Sequence, residues 1–256
     1  MFVSQFFKKI FIVLIFIIIS GCSIITAGYN RLPFMTLLEL NSIFDLADEQ
    51  SQKVRPVLDS WLEWHRANHL PRYVVKLEEW EKLVLQDLTS AQFCKEVEVI
   101  RTFTNEAVEK FIPALIPIAE TLTPVQIQNW NKYQDERDKE FVENFSKGEK
   151  GEIINKKRLE RSIDRAEMFY GTLSKSQKDA LARRLEKSLF NVEQVLPERK
   201  RRHLDALNAV KLVQSGSKAY PTLKAVWDRN QKSPDKKYEA YSEKMLRWLL
   251  AIIRTS

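Results

Sequence analysis

Leu122-Thr123-Pro124-Val125-Gln126 reads as the start of a helix, and its pattern, Leu-Ser/Thr-x-x-Gln, recurs at Leu88-Thr89-Ser90-Ala91-Gln92 and Leu173-Ser174-Lys175-Ser176-Gln177. The hydroxyl of Thr89, Thr123 or Ser174 can accept from the amide three residues on. The side chain of Gln92, Gln126 or Gln177 can reach back to the cap residue's own amide. Pro124 takes the first helical position, where a missing N–H costs nothing. Leu88 with Phe93, and Leu122 with Ile127, stand at the positions of a hydrophobic staple, whereas the third copy offers Lys178 there and caps more weakly. Leu46-Ala47-Asp48-Glu49-Gln50 is a degenerate fourth copy with no hydroxyl at the cap.

Outward from these starts, apolar residues recur at helical spacing from about residue 30 onward, without sustained strand alternation. Six glycines and nine prolines in 256 residues argue against a turn-rich sandwich or barrel. The expectation is an all-α chain, a bundle of eight to nine helices. The caps and breakers place them near 33–44, 48–68, 71–86, 90–111, 124–146, 152–171, 175–195, 198–214 and 219–254. Pro113 and Pro117 should kink or end the fourth, and Pro234 should break the last. The length allows one large domain or two small ones, and the stretch 146–151 is the best sub-boundary.

The chain opens with Lys8 and Lys9, an apolar run from Ile10 to Ile19, and then Ser20-Gly21-Cys22. This run is half the length that crosses a bilayer and fits a secretory signal. Ile19-Ser20-Gly21-Cys22 resembles the lipobox of bacterial lipoproteins. That resemblance implies a signal peptide over 1–21 and an acylated Cys22 as the mature N-terminus, carrying palmitate-type chains. Residues 22–32 would form the lipidated terminus and a short linker, followed by a helical domain over 33–256. Ser23, not aspartate, implies the periplasmic face of the outer membrane by the sorting rule of such lipoproteins.

The net charge of +7 is uneven. Residues 22–146 carry 13 basic against 20 acidic residues, and residues 147–256 carry 26 against 14. The run Arg199-Lys200-Arg201-Arg202 is its densest point. An exported protein meets little nucleic acid, and no aromatic platform interleaves these cations, so nucleic acid is not expected as a partner. Anionic lipid or envelope proteins are the partners such a patch would take. A solvated face, or pairing with the acidic half, are its other readings.

Few residues suggest chemistry. His65 and His69 share a helical face, but no Cys or His stands nearby as a third metal ligand, Glu63 or Glu78 being the carboxylates that could approach, and Pro71 breaks the helix near His69. Trp61, Trp64, His65, Arg66 and Tyr73 read as a packed surface and a candidate interaction site. Trp61, Trp64, Trp80, Trp130, Trp227 and Trp248 read as core, and Cys94 as a buried thiol. No cofactor loop, nucleophile elbow or metalloprotease motif is present in the sequence, so no catalytic residue, metal or cofactor is assigned.

Two resemblances follow from these residues. The Leu-Thr-x-x-Gln copies are similar to the paired motif of small helical Spy/CpxP-type periplasmic chaperones, over about five residues each. Cys22-Ser23, Gly28-Tyr29-Asn30, Trp61-Leu62-x-Trp64-His65-Arg66 and Leu70-Pro71-x-Tyr73 resemble a family of uncharacterised proteobacterial lipoproteins, which implies an all-helical, lipid-anchored envelope protein and supplies no activity. The expected function is non-enzymatic binding of polypeptides or envelope components. The alternatives are an envelope-polymer hydrolase or transferase using acidic residues, and a structural subunit of an envelope complex.

Overall fold

The computed structural model describes residues 26–83, 85–86, 89–146 and 156–254. The expected signal peptide, Cys22 and most of the 146–151 boundary lie outside them. After a helical segment at 26–30 come ten helices: α1 (Leu32–Phe44), α2 (Asp48–Asn68), α3 (Leu70–Leu83), α4 (Ser90–Thr121), α5 (Pro124–Phe145), α6 (Lys156–Tyr170), α7 (Lys175–Glu186), α8 (Val192–Gln214), α9 (Ala219–Gln231) and α10 (Lys236–Arg254). No strand occurs among the described residues. The described residues are all-α as expected, but in eleven helical segments where eight to nine were expected.

The differences have physical causes. α4 does not end at residue 111; it runs through Pro113 and Pro117 to Thr121. Each interior proline costs a helix about 3 kcal/mol, yet this stretch is the most buried part of α4. Ile112, Ala114, Ile118 and Ala119 are all at most 3 % exposed, and their packing offsets the lost helix bonds. The α7–α8 break falls earlier than expected, between 186 and 192. There Asn191 caps α8 by accepting from the Glu193 amide at 2.8 Å, and Phe190 packs on Phe141 and Phe145. Pro197 therefore sits inside α8 and marks no boundary. The expected last helix is divided near Pro234 into α9 and α10.

The core joins α1, α2, α4 and α8 through Leu40, Val54, Leu58, Ala114, Ile118, Val210 and Val213. Leu46 and Leu122, the leading residues of two motif copies, close it at one end. α4 packs against α2, α8, α9 and α10, while α6 and α7 pack on each other and reach the bundle through α5.

The capping copies divide into two kinds. At Thr89, Thr123 and Ser174 the full box forms, each hydroxyl accepting from the glutamine amide at 3.2–3.3 Å. Gln92 and Gln177 face solvent. Lys178, where a staple would stand, instead pairs with Glu167 at 2.9 Å. Gln126 and Gln50 are only 6 % exposed and bond each other across 76 residues. Gln50 Oε1 accepts from the Ala47 amide, the surviving half of a box, and from Gln126 Nε2 at 2.7 Å. Gln50 Nε2 donates to the carbonyl and hydroxyl of Thr121, and Gln126 Nε2 donates to the Asp45 carbonyl. Asp45 has φ 53°, the left-handed conformation that ends α1 and that aspartate tolerates better than most residues.

Replacing Thr123 by alanine should cost about 1 kcal/mol, because its cap abuts the buried glutamine pair. Ser174→Ala should cost less than half of that, since its cap is exposed. Urea unfolding of both variants checks the order; an equal or larger loss for Ser174→Ala contradicts it.

Candidate functional site

Three places gather the chemistry-bearing side chains. The first lies at the α2–α3 junction, where the sequence placed Trp61, Trp64, His65, Arg66 and Tyr73. One residue, His69, separates the helices, with Pro71 in the first turn of α3. His69 has no exposed surface. Its ring lies against Trp64 at 4.6 Å, and His65 stacks on Trp61 at 5.0 Å, centroid to centroid.

A directed chain of contacts runs through this junction. Tyr29 Oη lies 2.9 Å from His65 Nδ1, and His65 Nε2 lies 3.3 Å from Tyr73 Oη. Tyr73 Oη lies 3.0 Å from His69 Nδ1, and His69 Nε2 faces Glu106 Oε2 at 3.3 Å without hydrogen-bond alignment. A carboxylate only accepts, so a neutral His69 carries its proton on Nε2. Tyr73 then donates to His69 and accepts from His65, and Tyr29 donates to His65. Arg72 pairs with Glu106. Its hydrogen bond holds the Glu106 carboxyl below the usual range. Burial lowers both imidazoles; neighbouring His69 lowers His65 further, and Arg72 lowers His69 further against the opposing pull of Glu106. Arg66 donates to Asn30 at 2.7 Å. The junction thus ties the 26–30 segment and α3 onto α2 and α4. Among the described residues, no group of three or more His, Cys, Asp or Glu is placed to hold a metal ion.

The second place is the basic run. Arg199 Nε donates to buried Asp138 at 2.8 Å, and Arg201 and Arg202 both grip Glu198, which is 3 % exposed, at 2.7–2.8 Å. Ser233 adds a third donor to Glu198. Burial pushes the Glu198 carboxyl up, but hydrogen bonds from Arg201, Arg202 and Ser233 outweigh it and hold it below its ordinary value. Lys200 stands exposed beside them. Three of the four cations are therefore engaged internally, one of them with the acidic half, which leaves little free field for an anionic surface.

The third place carried no signal in the sequence. An apolar, half-open cavity of about 210 Å³ lies between α1, α4, α5, α8 and α9. Phe44, Leu122 and Trp130 line it beside the glutamine pair, and Ala206, Val226 and Trp227 line it from the basic half. Its described lining contains no carboxylate. It was illegible because five helices each contribute a few ordinary apolar positions.

Two further expectations need correction. The tryptophans are not fully buried: all six are half-buried, and Trp61, Trp80 and Trp227 donate to Ala107, Glu96 and Asn105. An indole N–H needs a partner, which draws the ring toward the core's edge. Cys94 is exposed, because the first turns of α4 precede the stretch that enters the core.

The lowered histidines set a pH dependence. His65, His69 and His203 lie below the ordinary 6.5 in the folded chain, all chiefly through burial. The unfolded chain therefore takes up protons first. The stability they contribute is complete above that value and is lost as pH falls below it. Thermal melting should weaken from about pH 7 to about pH 5, and His69→Gln should flatten that slope while lowering stability throughout. An unchanged slope in the variant contradicts the assignment.

The comparisons with known proteins supply a family and no activity. No curated protein and no solved structure matches the chain. A family model described as a family of unknown function, DUF6279, matches residues 42–239, from the end of α1 into α10. That span holds the α2–α3 junction, the Arg199–Arg202 run and the whole described cavity wall, and the chain belongs to this family of unknown function.

Proposed function

We propose that this protein is a lipid-anchored component of the bacterial cell envelope that binds an envelope polypeptide or another envelope component and catalyses nothing. The observation that carries the binding reading is the apolar cavity, built from five helices and lined without a carboxylate. An envelope hydrolase or transferase that works through acidic residues, as glycosidases do, needs two converging carboxyls, one of them pushed up by desolvation to act as an acid. Here Glu106 and Glu198 are both drawn down by arginines, so each stays ionised as an ion-pair partner.

The anchor rests on Ile19-Ser20-Gly21-Cys22, and Ser23 favours the periplasmic face of the outer membrane. The Tyr29–His65 contact fits that reading. Six residues lie between Cys22 and Tyr29, an upper limit of about 25 Å even at full extension. An acylated Cys22 would hold the α2–α3 junction within that distance of the bilayer. Among the described residues, no helix is long and apolar enough to cross a membrane. The Leu-Thr-x-x-Gln copies lend little to a Spy/CpxP-type chaperone reading, because each is accounted for as a helix cap.

One observation favours the structural-subunit reading. Phe34, Met35 and Leu38 on α1 are 46–55 % exposed on neighbouring turns, as are Val74 and Val75 on α3 at 55–56 %. Exposed apolar faces of this kind suit contact with another protein of a complex.

The test of the anchor is metabolic labelling with a clickable palmitate analogue. The wild-type chain should incorporate it and begin at Cys22 after processing. Cys22→Ala should take up none and remain as precursor; full incorporation into that variant overturns the anchor.

A further inference from the structure

We infer that the outer face of the first turns of α1 rests on the phospholipid bilayer that holds the anchor. The inference depends on the anchor reading of Cys22 and adds to it a second membrane contact, made by the folded domain itself. It takes this face, though not Val74 and Val75, from the structural-subunit reading.

α1 is apolar on two sides. Pro33, Leu37, Leu40 and Phe44, three or four positions apart, turn into the core. Phe34, Met35 and Leu38 on the other face are 46–55 % exposed, with Leu32 beside them at 37 %. No charged residue stands between Arg31 and Glu39, and Thr36 is the one polar side chain in that interval. A solvated helix carries polar residues opposite its core stripe, whereas a helix that is apolar all round is covered on both sides. Polarity returns to the outer face only later in α1, at the exposed Glu39, Asn41 and Ser42. The uncovered apolar half is the one nearer to Cys22 along the chain.

The position of that half names its cover. Three residues lie between Cys22 and Thr26, an upper limit of about 14 Å. The helical rise from Thr26 adds about 12 Å to reach Phe34 and about 18 Å to reach Leu38. An acylated Cys22 sits at the headgroups, so the whole stripe stays within about 32 Å of the bilayer surface. Tethering makes the bilayer a neighbour at high effective concentration, which a diffusing protein is not. Arg31 and Arg66 are exposed at the start of the stripe, where Arg66 bonds Asn30 at 2.7 Å. Their guanidinium groups suit headgroup phosphates. Apolar side chains toward the acyl boundary with cations at the rim are the pattern of a helix lying in the membrane interface.

The test uses the full processed chain carrying Cys94→Ser, in vesicles of phosphatidylethanolamine and phosphatidylglycerol. An NBD fluorophore is attached at Met35→Cys, at Leu38→Cys or, for comparison, at Gln231→Cys, an exposed position on α9, which packs on α4 and α8. Melting curves establish that each variant is folded, and the intact mass of each preparation shows whether Cys22 is acylated. Vesicles whose lipids carry a nitroxide high on the acyl chain are then compared with unlabelled ones. The expected result is quenching of at least about twofold at positions 35 and 38, where the fluorophore meets the acyl boundary, and little at position 231. With Cys22 acylated, a fluorophore that escapes quenching at 35 and 38 overturns the inference and leaves the anchor standing. A dim one then lies in water, and a bright one is covered by another protein or a second copy of the chain. Equal quenching at all three positions also overturns the inference, because the domain would then touch the bilayer with no preferred face. An unacylated Cys22 overturns the anchor reading itself, and the inference with it.

Discussion

The Gln50–Gln126 pair is the constraint on which the bundle's geometry depends. Each side chain caps its own helix and then uses its remaining amide hydrogens on the other's neighbourhood. The starts of α2 and α5, the end of α4 and the left-handed residue that ends α1 are thereby fixed relative to one another. Buried amides satisfied this fully are specific as well as stable, because any shift of one helix leaves several polar atoms unmatched. Leu46 and Leu122 enter the core directly from this junction, and the cavity opens beside it.

From that junction α4 runs back through the centre of the molecule. Its two prolines would end a helix standing alone, yet they fall where α2, α8 and α9 surround it. Tertiary packing decides the matter here, and local propensity does not. The same logic accounts for the charge asymmetry. The basic run of α8 meets Asp138 of α5, and Lys224 of α9 pairs with Glu109 of α4 at 3.2 Å, so part of each half's excess is answered by the other.

How much of this was legible follows from the range of each signal. Thr89, Thr123 and Ser174 announced their helices because a capping box is complete within five residues. The all-α class followed from apolar spacing and scarce glycine. The extension of α4 was hidden, because the burial that overrides Pro113 and Pro117 comes from residues 50 to 100 positions away. The degenerate motif at Leu46–Gln50 read as a weakened cap. Its missing hydroxyl matters little, since Gln50 finds its partners at Thr121 and Gln126. The Tyr29–His65–Tyr73–His69 contacts were half visible, as a cluster of residue types with no order among them. The cavity was invisible, because nothing local marks apolar residues from five helices as facing one space.

The most direct test is a double-mutant cycle on the glutamine pair, with Gln50→Leu, Gln126→Leu and the double variant unfolded in urea. If the pair is the joint that fixes four helix ends, the two substitutions couple by about 1–3 kcal/mol, each single variant orphaning the other's buried amide. The double variant then loses much less than the sum of the singles. Strict additivity would contradict the account, for it would mean that the two caps act separately and that the junction owes its geometry to the apolar core alone.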